Sequence, residues 1–225
     1  MIFSVPIGGS IITNRISKGD SSAAKLQVFR KAIASYITKP IVFLLAKTSI
    51  TPNMVTWFGF ILILIASVLA GTGRPFAAGW VVLVSGFFDI IDGALARETD
   101  QVTRFGGVLD SSLDRISEAA ILLGIMAYYL FGYISVSYFQ WIILLIGITV
   151  VGSFLVSYVR ARAEGLDIDC QVGIFTRTER VIILALGLLL SSLPYILVAS
   201  LIIIAILSLV TAVQRLLFVY QQTKK

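Results

Sequence analysis

Six mostly apolar stretches, each near the length of a membrane span, constrain this chain more than any other feature. A transmembrane helix needs about 20 apolar residues. Hydrophobic residue types make up 58% of the chain and charged ones only 13%, whereas charged residues are about a quarter of an ordinary soluble domain. We therefore predict an all-α integral membrane protein with six transmembrane helices, at about 54–71, 76–96, 105–131, 138–160, 180–194 and 195–219.

The positions of the basic residues orient these spans. Cytoplasmic loops of membrane proteins are enriched in Lys and Arg. With six spans, all of the 18 Lys and Arg residues except Arg74 fall on one side. We therefore expect a multi-pass protein of the cell membrane with both termini in the cytoplasm. The net charge of +6 then reflects cytoplasmic loops, and nucleic acid is not an expected partner.

The first fifty residues are basic and precede the spans. Apolar side chains recur there at helical spacing, at Leu26, Phe29, Ile33, Tyr36 and Ile37. A basic amphipathic helix is typical of a segment lying on an anionic membrane surface; a plain juxtamembrane linker is the alternative. We divide the chain into an N-terminal cytoplasmic segment, 1–50, and a membrane domain, 51–225.

Four aspartates interrupt the second and third spans near their cytoplasmic ends: Asp89 and Asp92, then Asp110 and Asp114. A charged residue inside a membrane helix costs about 2.5–3.5 kcal/mol on insertion. At 100° per residue, the two aspartates of each pair share one helix face. The two spans are joined by a short polar turn, so we expect them to be antiparallel neighbours. The carboxylates can therefore meet in a cleft, where they suit a hard divalent cation such as Mg²⁺.

The aspartates belong to a longer pattern, D-x2-D-G-x2-A-R-x8-G-x3-D-x3-D, which this chain matches in full. Its fixed positions are Asp89, Asp92, Gly93, Ala96, Arg97, Gly106, Asp110 and Asp114. The pattern resembles the signature of the CDP-alcohol phosphotransferases. The resemblance implies six membrane helices, a homodimer, and an active site with two divalent metal ions, Mg²⁺ or alternatively Mn²⁺.

The resemblance also implies roles for single residues. Asp89, Asp92 and Asp110 would bind the first metal ion, and Asp89, Asp110 and Asp114 the second. Asp114 would also be the general base that activates the acceptor hydroxyl, with CMP as the leaving group. The CDP-linked lipid would contact the residues Asn53, Thr56, Gly93, Arg97 and Thr103. The segment around Asn53 is equally typical of a helix start, with Pro52 in the first turn.

The acceptor is indicated by residues that differ between branches of the family. The motif ends in LDSSLDR at 109–115, whereas the branch that makes phosphatidylglycerol phosphate usually has LDPxADK. The segment SYVRARAE at 157–164 is similar to prokaryotic phosphatidylinositol phosphate synthases. That branch implies an acceptor-phosphate site of Arg160, Arg180 and Arg215, although Lys is common there in place of Arg160.

An arginine cluster near the cytoplasmic ends of spans four to six favours an acidic acceptor independently, because guanidinium groups bind phosphate through charge-assisted hydrogen bonds. The cluster consists of Arg160, Arg162, Arg177, Arg180 and Arg215. The same arginines could instead serve only the cytoplasmic charge bias or contact lipid headgroups. We expect a phosphatidyl group to pass from CDP-diacylglycerol to inositol 1-phosphate in phospholipid biosynthesis.

Three alternatives stay open from the sequence. The acceptor could be glycerol 3-phosphate or another small alcohol, and the donor could be an archaeal ether lipid linked to CDP. In a different class, a cation transporter also uses carboxylates inside the membrane. A transporter would more often show helices broken near mid-membrane and internal repeats, and this chain shows neither pattern.

Overall fold

The structure is a computed structural model that describes residues 39–132, 138–193 and 195–224. Within these ranges the chain is all-helical and forms no strand, as the sequence predicted. A short helix at 39–45 is followed by α1 (Pro52–Gly71), α2 (Pro75–Glu98), α3 (Arg104–Leu130), α4 (Phe139–Glu164), α5 (Arg177–Leu189) and α6 (Ile196–Thr223). The amphipathic helix predicted in the 1–50 segment falls mostly on residues 1–38, outside the described ranges.

Four of these helices, α1, α2, α4 and α6, are long and apolar enough to cross a membrane. The fourth of them has a mean hydropathy of 3.0 over its most apolar window. The other two predicted spans correspond to α3 and α5. Helix α3 has 27 residues but carries charged residues within its first half. Helix α5 has 13 residues and is therefore only about 20 Å long.

Threonine caps start the three helices that begin beside the aspartates. The Thr51 side chain accepts a hydrogen bond from the Met54 amide at 3.4 Å at the start of α1. Thr103 does the same for the Gly106 amide at 2.9 Å at the start of α3. A capping box of Thr176 and Glu179 starts α5. Each cap satisfies an amide that has no partner inside the helix, so the backbone around the site is fixed.

Close helix packing holds the two aspartate helices in register. Helix α1 packs against both α2 and α3, α4 packs against α6, and α5 packs against α2 and α6. At Gly124 on α3, an added Cβ would lie 2.3 Å from the Ser67 carbonyl oxygen of α1. Only glycine permits this approach, which is the way small residues bring membrane helices together. Buried Ala66, Ala70 and Ile125 fill the core nearby.

Candidate active site

Three of the four aspartates form a compact carboxylate group. Asp89 and Asp92 on α2 and Asp110 on α3 each offer a carboxylate oxygen, and these oxygens lie within 4.8 Å of one another. Two ligands of one Mg²⁺ ion are at most about 4.2 Å apart, because each lies 2.0–2.1 Å from the ion. A small movement of the carboxylates toward one another would therefore let them bind the same ion. Oxygen donors of like charge in one place fit a divalent cation, which both binds to them and removes their repulsion.

A buried threonine orients one of these carboxylates. Thr56 Oγ1 lies 2.7 Å from Asp92 Oδ2 and 3.1 Å from the Pro52 carbonyl oxygen. Both Thr56 and Asp92 are buried. Partners of this kind fix the direction of a metal-binding carboxylate, and their loss usually weakens metal affinity. Thr56 thus contacts a carboxylate directly, in addition to lying beside the nearby cavity.

The fourth aspartate, Asp114, is joined to the group through an arginine. The Arg177 guanidinium, at the start of α5, donates to Asp89 Oδ2 through Nη1. Its Nη2 lies 2.7 Å from Asp114 Oδ1. Sequence reasoning placed Arg177 in the cytoplasmic arginine cluster but gave it no role of its own. Only the packing of α5 against α2 reveals this contact.

One cavity of about 320 Å³ opens beside the carboxylate group. We call it the aspartate cavity. Asp92 and Asp110 line it, together with all five residues predicted to contact a CDP-linked lipid, Asn53, Thr56, Gly93, Arg97 and Thr103. Gln101 and Val102 also line it, and the sequence analysis did not single them out. At Gly106, an added Cβ would lie 2.9 Å from Thr103 Oγ1 and 3.3 Å from Asn53 Oδ1, so the wall needs glycine there.

A second, larger cavity of about 670 Å³ lies between α3, α4, α5 and α6. We call it the arginine cavity. Its basic lining consists of Arg104, Arg115, Arg160, Arg177, Arg180 and Arg215. Asp110 lines both cavities, and Asp114 lines the arginine cavity. A small molecule with an anionic group could therefore lie among the arginines while another of its groups faces the aspartates.

The most buried of these arginines is held by a glutamate. Arg180 has a relative exposure of 2%. Its Nε lies 2.6 Å from Glu118 Oε1, and its Nη2 lies 2.9 Å from Glu118 Oε2. Its Nη1 is buried and has no hydrogen-bond partner among the described residues. Glu118 lies one turn beyond Asp114 on α3, a position from which the sequence alone allows either a pair with Arg115 or a supporting role at the site. The structure pairs Glu118 with Arg180.

The other two predicted acceptor arginines are in different environments. Arg215 is buried and donates through Nε to the Val172 carbonyl at 2.8 Å and through Nη1 to the Val156 carbonyl at 2.6 Å. It therefore ties α6 to α4 and to the loop before α5. The Arg160 side chain is half exposed and pairs with Glu164, one turn along α4, at 2.8 Å.

Comparison with known proteins agrees with this site. Residues 49–214 match the family of CDP-alcohol phosphatidyltransferases. The archaetidylinositol phosphate synthase of Methanothermobacter thermautotrophicus is 38% identical over 208 residues, which cover 91% of this chain and 99% of that protein.

Two crystal structures of the Mycobacterium tuberculosis phosphatidylinositol phosphate synthase are also similar, each with a TM-score of 0.74. The structure with CDP-DAG bound is 34% identical and covers 82% of this chain and 94% of its own. The complex with manganese and citrate is 33% identical and covers 81% and 88%. Manganese in that relative agrees with a divalent-metal site at the three aspartates. The chain belongs to the CDP-alcohol phosphatidyltransferase family and is a multi-pass membrane transferase of phospholipid biosynthesis.

Proposed function

We propose that this enzyme transfers the phosphatidyl group of CDP-diacylglycerol to inositol 1-phosphate and releases CMP. The observation that carries this proposal is the meeting of two cavities of opposite charge at Asp110. The relatives support both substrates, since one crystal structure contains CDP-DAG and the named relatives are synthases of inositol phosphate lipids.

The aspartate cavity would bind the donor. Asn53, Gly93, Arg97 and Thr103 would contact its CDP moiety, with Thr56 holding Asp92 in place. Asp89, Asp92 and Asp110 would hold one Mg²⁺ ion, and Asp89, Asp110 and Asp114 a second. When bound, such ions neutralise the charge of a pyrophosphate. The carboxylate cluster fits that task because the protein supplies oxygen ligands and no competing donor of another type.

The arginine cavity would bind the acceptor through its phosphate. Arg180 presents an N–H group without a partner among the described residues, and Arg160 and Arg215 line the same space. Asp114 would take the proton of the acceptor hydroxyl as a general base. The hydroxyl oxygen then bonds to the phosphorus on the lipid side of the pyrophosphate, and the bond from that phosphorus to the CMP oxygen breaks.

The proposed membrane topology has six spans, with α3 and α5 completing the four apolar helices. The charges of α3 face inward: Glu118 pairs with Arg180, and Asp114 with Arg177. Internal pairing makes ionisable residues tolerable at membrane depth. The site would face the cytoplasm, where both termini lie, with the 1–50 segment on the membrane surface. A homodimer completes the proposal.

An archaeal ether lipid linked to CDP is the second candidate donor. The relative from Methanothermobacter thermautotrophicus, which aligns with this chain over 99% of its length, is an archaetidylinositol phosphate synthase. The residues proposed to contact the donor all address its CDP and pyrophosphate end, which an ester and an ether lipid share. The acceptor proposal is the same for both donors.

The test is CMP release by the purified protein with Mg²⁺. CDP-diacylglycerol and its ether analogue are each combined with inositol 1-phosphate, free inositol or glycerol 3-phosphate. We expect release with inositol 1-phosphate alone, and the better donor identifies the lipid type. Release with glycerol 3-phosphate or inositol instead would overturn the acceptor assignment, and no release with any pair would overturn the proposed reaction.

A further inference from the structure

Arg177 lies between the group of three carboxylates and the arginine cavity. Its guanidinium bridges Asp89 on α2 and Asp114 on α3, and the same side chain lines the arginine cavity. Asp89 therefore has two roles in the structure, because it also belongs to the group of three carboxylates with Asp92 and Asp110. An arginine bridging two proposed metal ligands is a contact that the proposed reaction does not use.

A metal ion and this guanidinium cannot share the two aspartates as they stand. Asp89 Oδ2 and Asp114 Oδ1 both accept from Arg177. A divalent ion bound to the same carboxylates would lie within a few ångströms of a group that carries a fixed positive charge, since arginine stays protonated in proteins. Two cations so close repel strongly in a partly buried site. One of them must leave when the other binds.

The side chain can move without the helix moving. Thr176 and Glu179 cap α5 on either side of Arg177, with the Thr176 amide 2.8 Å from Glu179 Oε2, so the backbone of the first turn is anchored. The Arg177 Nε is buried without a hydrogen-bond partner among the described residues, which leaves part of its donor capacity unused. The adjacent arginine cavity gives the guanidinium space to enter, close to Arg180 one turn along the helix.

We propose that Arg177 is a displaceable counter-ion. It neutralises Asp89 and Asp114 when no metal is bound, and it competes with a divalent ion for both. Once displaced, it enters the arginine cavity and binds the phosphate of the acceptor. The competition for Asp89 rests on the group of three carboxylates alone; the competition for Asp114 and the displacement step rest on the proposed function. Metal binding and acceptor binding then favour each other, and because coupling between two sites is reciprocal, either can be measured through the other.

The competition is tested by titrating the purified full-length chain with Mn²⁺ in detergent, without lipid or acceptor, and following free Mn²⁺ by electron paramagnetic resonance. We expect Arg177→Gln to bind Mn²⁺ about tenfold more tightly than the wild type, a typical size for coupling between ligands. Arg115→Gln is the matched control, because it removes the same charge from the same cavity, and the Arg115 guanidinium donates to the Ser111 carbonyl and makes no ion pair with Asp89 or Asp114 among the described residues. Equal tightening in both variants, or none in Arg177→Gln, would overturn the competition.

A second variant protects the test against misfolding. Arg177→Lys keeps the charge but loses the two-pronged bridge, so its Mn²⁺ affinity should lie between those of the wild type and Arg177→Gln. Thermal unfolding in EDTA gives an independent readout. Both variants should unfold at a lower temperature than the wild type, with most of the difference removed by Mn²⁺. Loss of stability that Mn²⁺ does not restore would contradict a counter-ion role.

The displacement step is tested by repeating the Mn²⁺ titration with saturating inositol 1-phosphate. The wild type should bind Mn²⁺ more tightly than without it, and Arg177→Gln should show little change. Absence of this effect in a wild type that uses inositol 1-phosphate would overturn the displacement. A wild type that does not use inositol 1-phosphate at all would contradict the proposed function instead, while the titration without acceptor still decides the competition.

Discussion

The aspartate cavity and the arginine cavity share two lining residues, Gly107 and Asp110, but their charged side chains are stabilised in opposite ways. Beside the aspartate cavity, three carboxylates of like charge lie together, and two of them, Asp92 and Asp110, line it. The Thr56 hydroxyl orients Asp92 by a hydrogen bond. In the arginine cavity, each predicted arginine already has a fixed partner: Glu118 for Arg180, carbonyl oxygens for Arg215 and Glu164 for Arg160. The first region is arranged to take up cations, and the second is a preformed frame for an anion.

This difference decides how each region responds to mutation. Removing one of several crowded carboxylates relieves repulsion, so the protein should tolerate it while function is lost. Removing a buried arginine leaves its carboxylate without a partner, which typically costs about 3–5 kcal/mol. Experiments on the arginine cavity therefore need variants that separate stability from binding.

The largest effect is expected at Asp114, which lines the arginine cavity and pairs with Arg177. Asp114→Asn should lower kcat by about 10²–10⁴-fold, the range for loss of a general base, and leave the KM for the donor little changed. Steady-state CMP release measures both. The exposed loop residue Asp167 offers a matched control, since it lines neither cavity and Asp167→Asn, the same chemical change, should retain activity. A kcat near the wild-type value in Asp114→Asn would remove this residue as the base.

The next largest effect is expected at Arg180. Loss of its charged hydrogen bonds should raise the KM for inositol 1-phosphate about 10- to 100-fold, since each such bond contributes about 1.5–3 kcal/mol. Arg180→Ala tests this against the KM for the donor, which should change little. The double variant Glu118→Gln/Arg180→Ala no longer contains an unpaired buried carboxylate. It should regain thermal stability yet keep the high acceptor KM; a restored KM would mean that Arg180 acts through stability alone.

A smaller effect should follow from loosening one carboxylate. Thr56→Val removes the hydroxyl 2.7 Å from Asp92 and should weaken Mn²⁺ binding about tenfold, as for other residues that support metal ligands. Thr99→Val is a close match, because Thr99 Oγ1 also donates to a carbonyl four residues earlier, that of Leu95, at 2.8 Å. Thr99 lies at the C-terminal end of α2. If both variants bind Mn²⁺ equally, the hydrogen bond to Asp92 has no role in metal binding.

The smallest effect is expected at Arg160. Its side chain is half exposed and its ion pair with Glu164 lies within one helix, and exposed pairs contribute only about 0–1 kcal/mol. Arg160→Gln should raise the acceptor KM no more than about fivefold and leave thermal stability unchanged. A rise in the acceptor KM as large as that in Arg180→Ala would show that burial does not determine how much each arginine contributes to acceptor binding. The proposed difference between the exposed Arg160 and the buried Arg180 would then be wrong.

The two regions also differ in how far the sequence predicts them. The aspartates and most residues that line the aspartate cavity lie within one short stretch of sequence. Helical periodicity and a fixed spacing therefore predict that they meet, as the structure shows. The bridge from Arg177 to Asp89 and Asp114 joins helices distant in the chain. So does the pairing of Glu118 with Arg180. Such contacts depend on how α5 packs, which periodicity within one helix does not determine.

The number of membrane spans is also predicted only in part by the sequence. Length and hydropathy identify α1, α2, α4 and α6 directly. Helix α3 carries the charges that the site needs. Helix α5 is short because it begins only after the loop that Arg215 holds through the Val172 carbonyl and already ends at Leu189, before the predicted end at 194. Function at the site therefore weakens the apolar signal of the helices that build it.

The central claim is that donor and acceptor bind in separate cavities of opposite charge. Asp114→Asn should bind both substrates without turning them over, so calorimetric titration with Mg²⁺ can measure each one in turn. We expect inositol 1-phosphate to bind at least about tenfold more weakly when Arg180→Ala is added, while a short-chain CDP-diacylglycerol binds equally to both proteins. Equal loss of affinity for both ligands in Asp114→Asn/Arg180→Ala would contradict the division of the site into two cavities. Undiminished binding of inositol 1-phosphate by this double variant would contradict it as well.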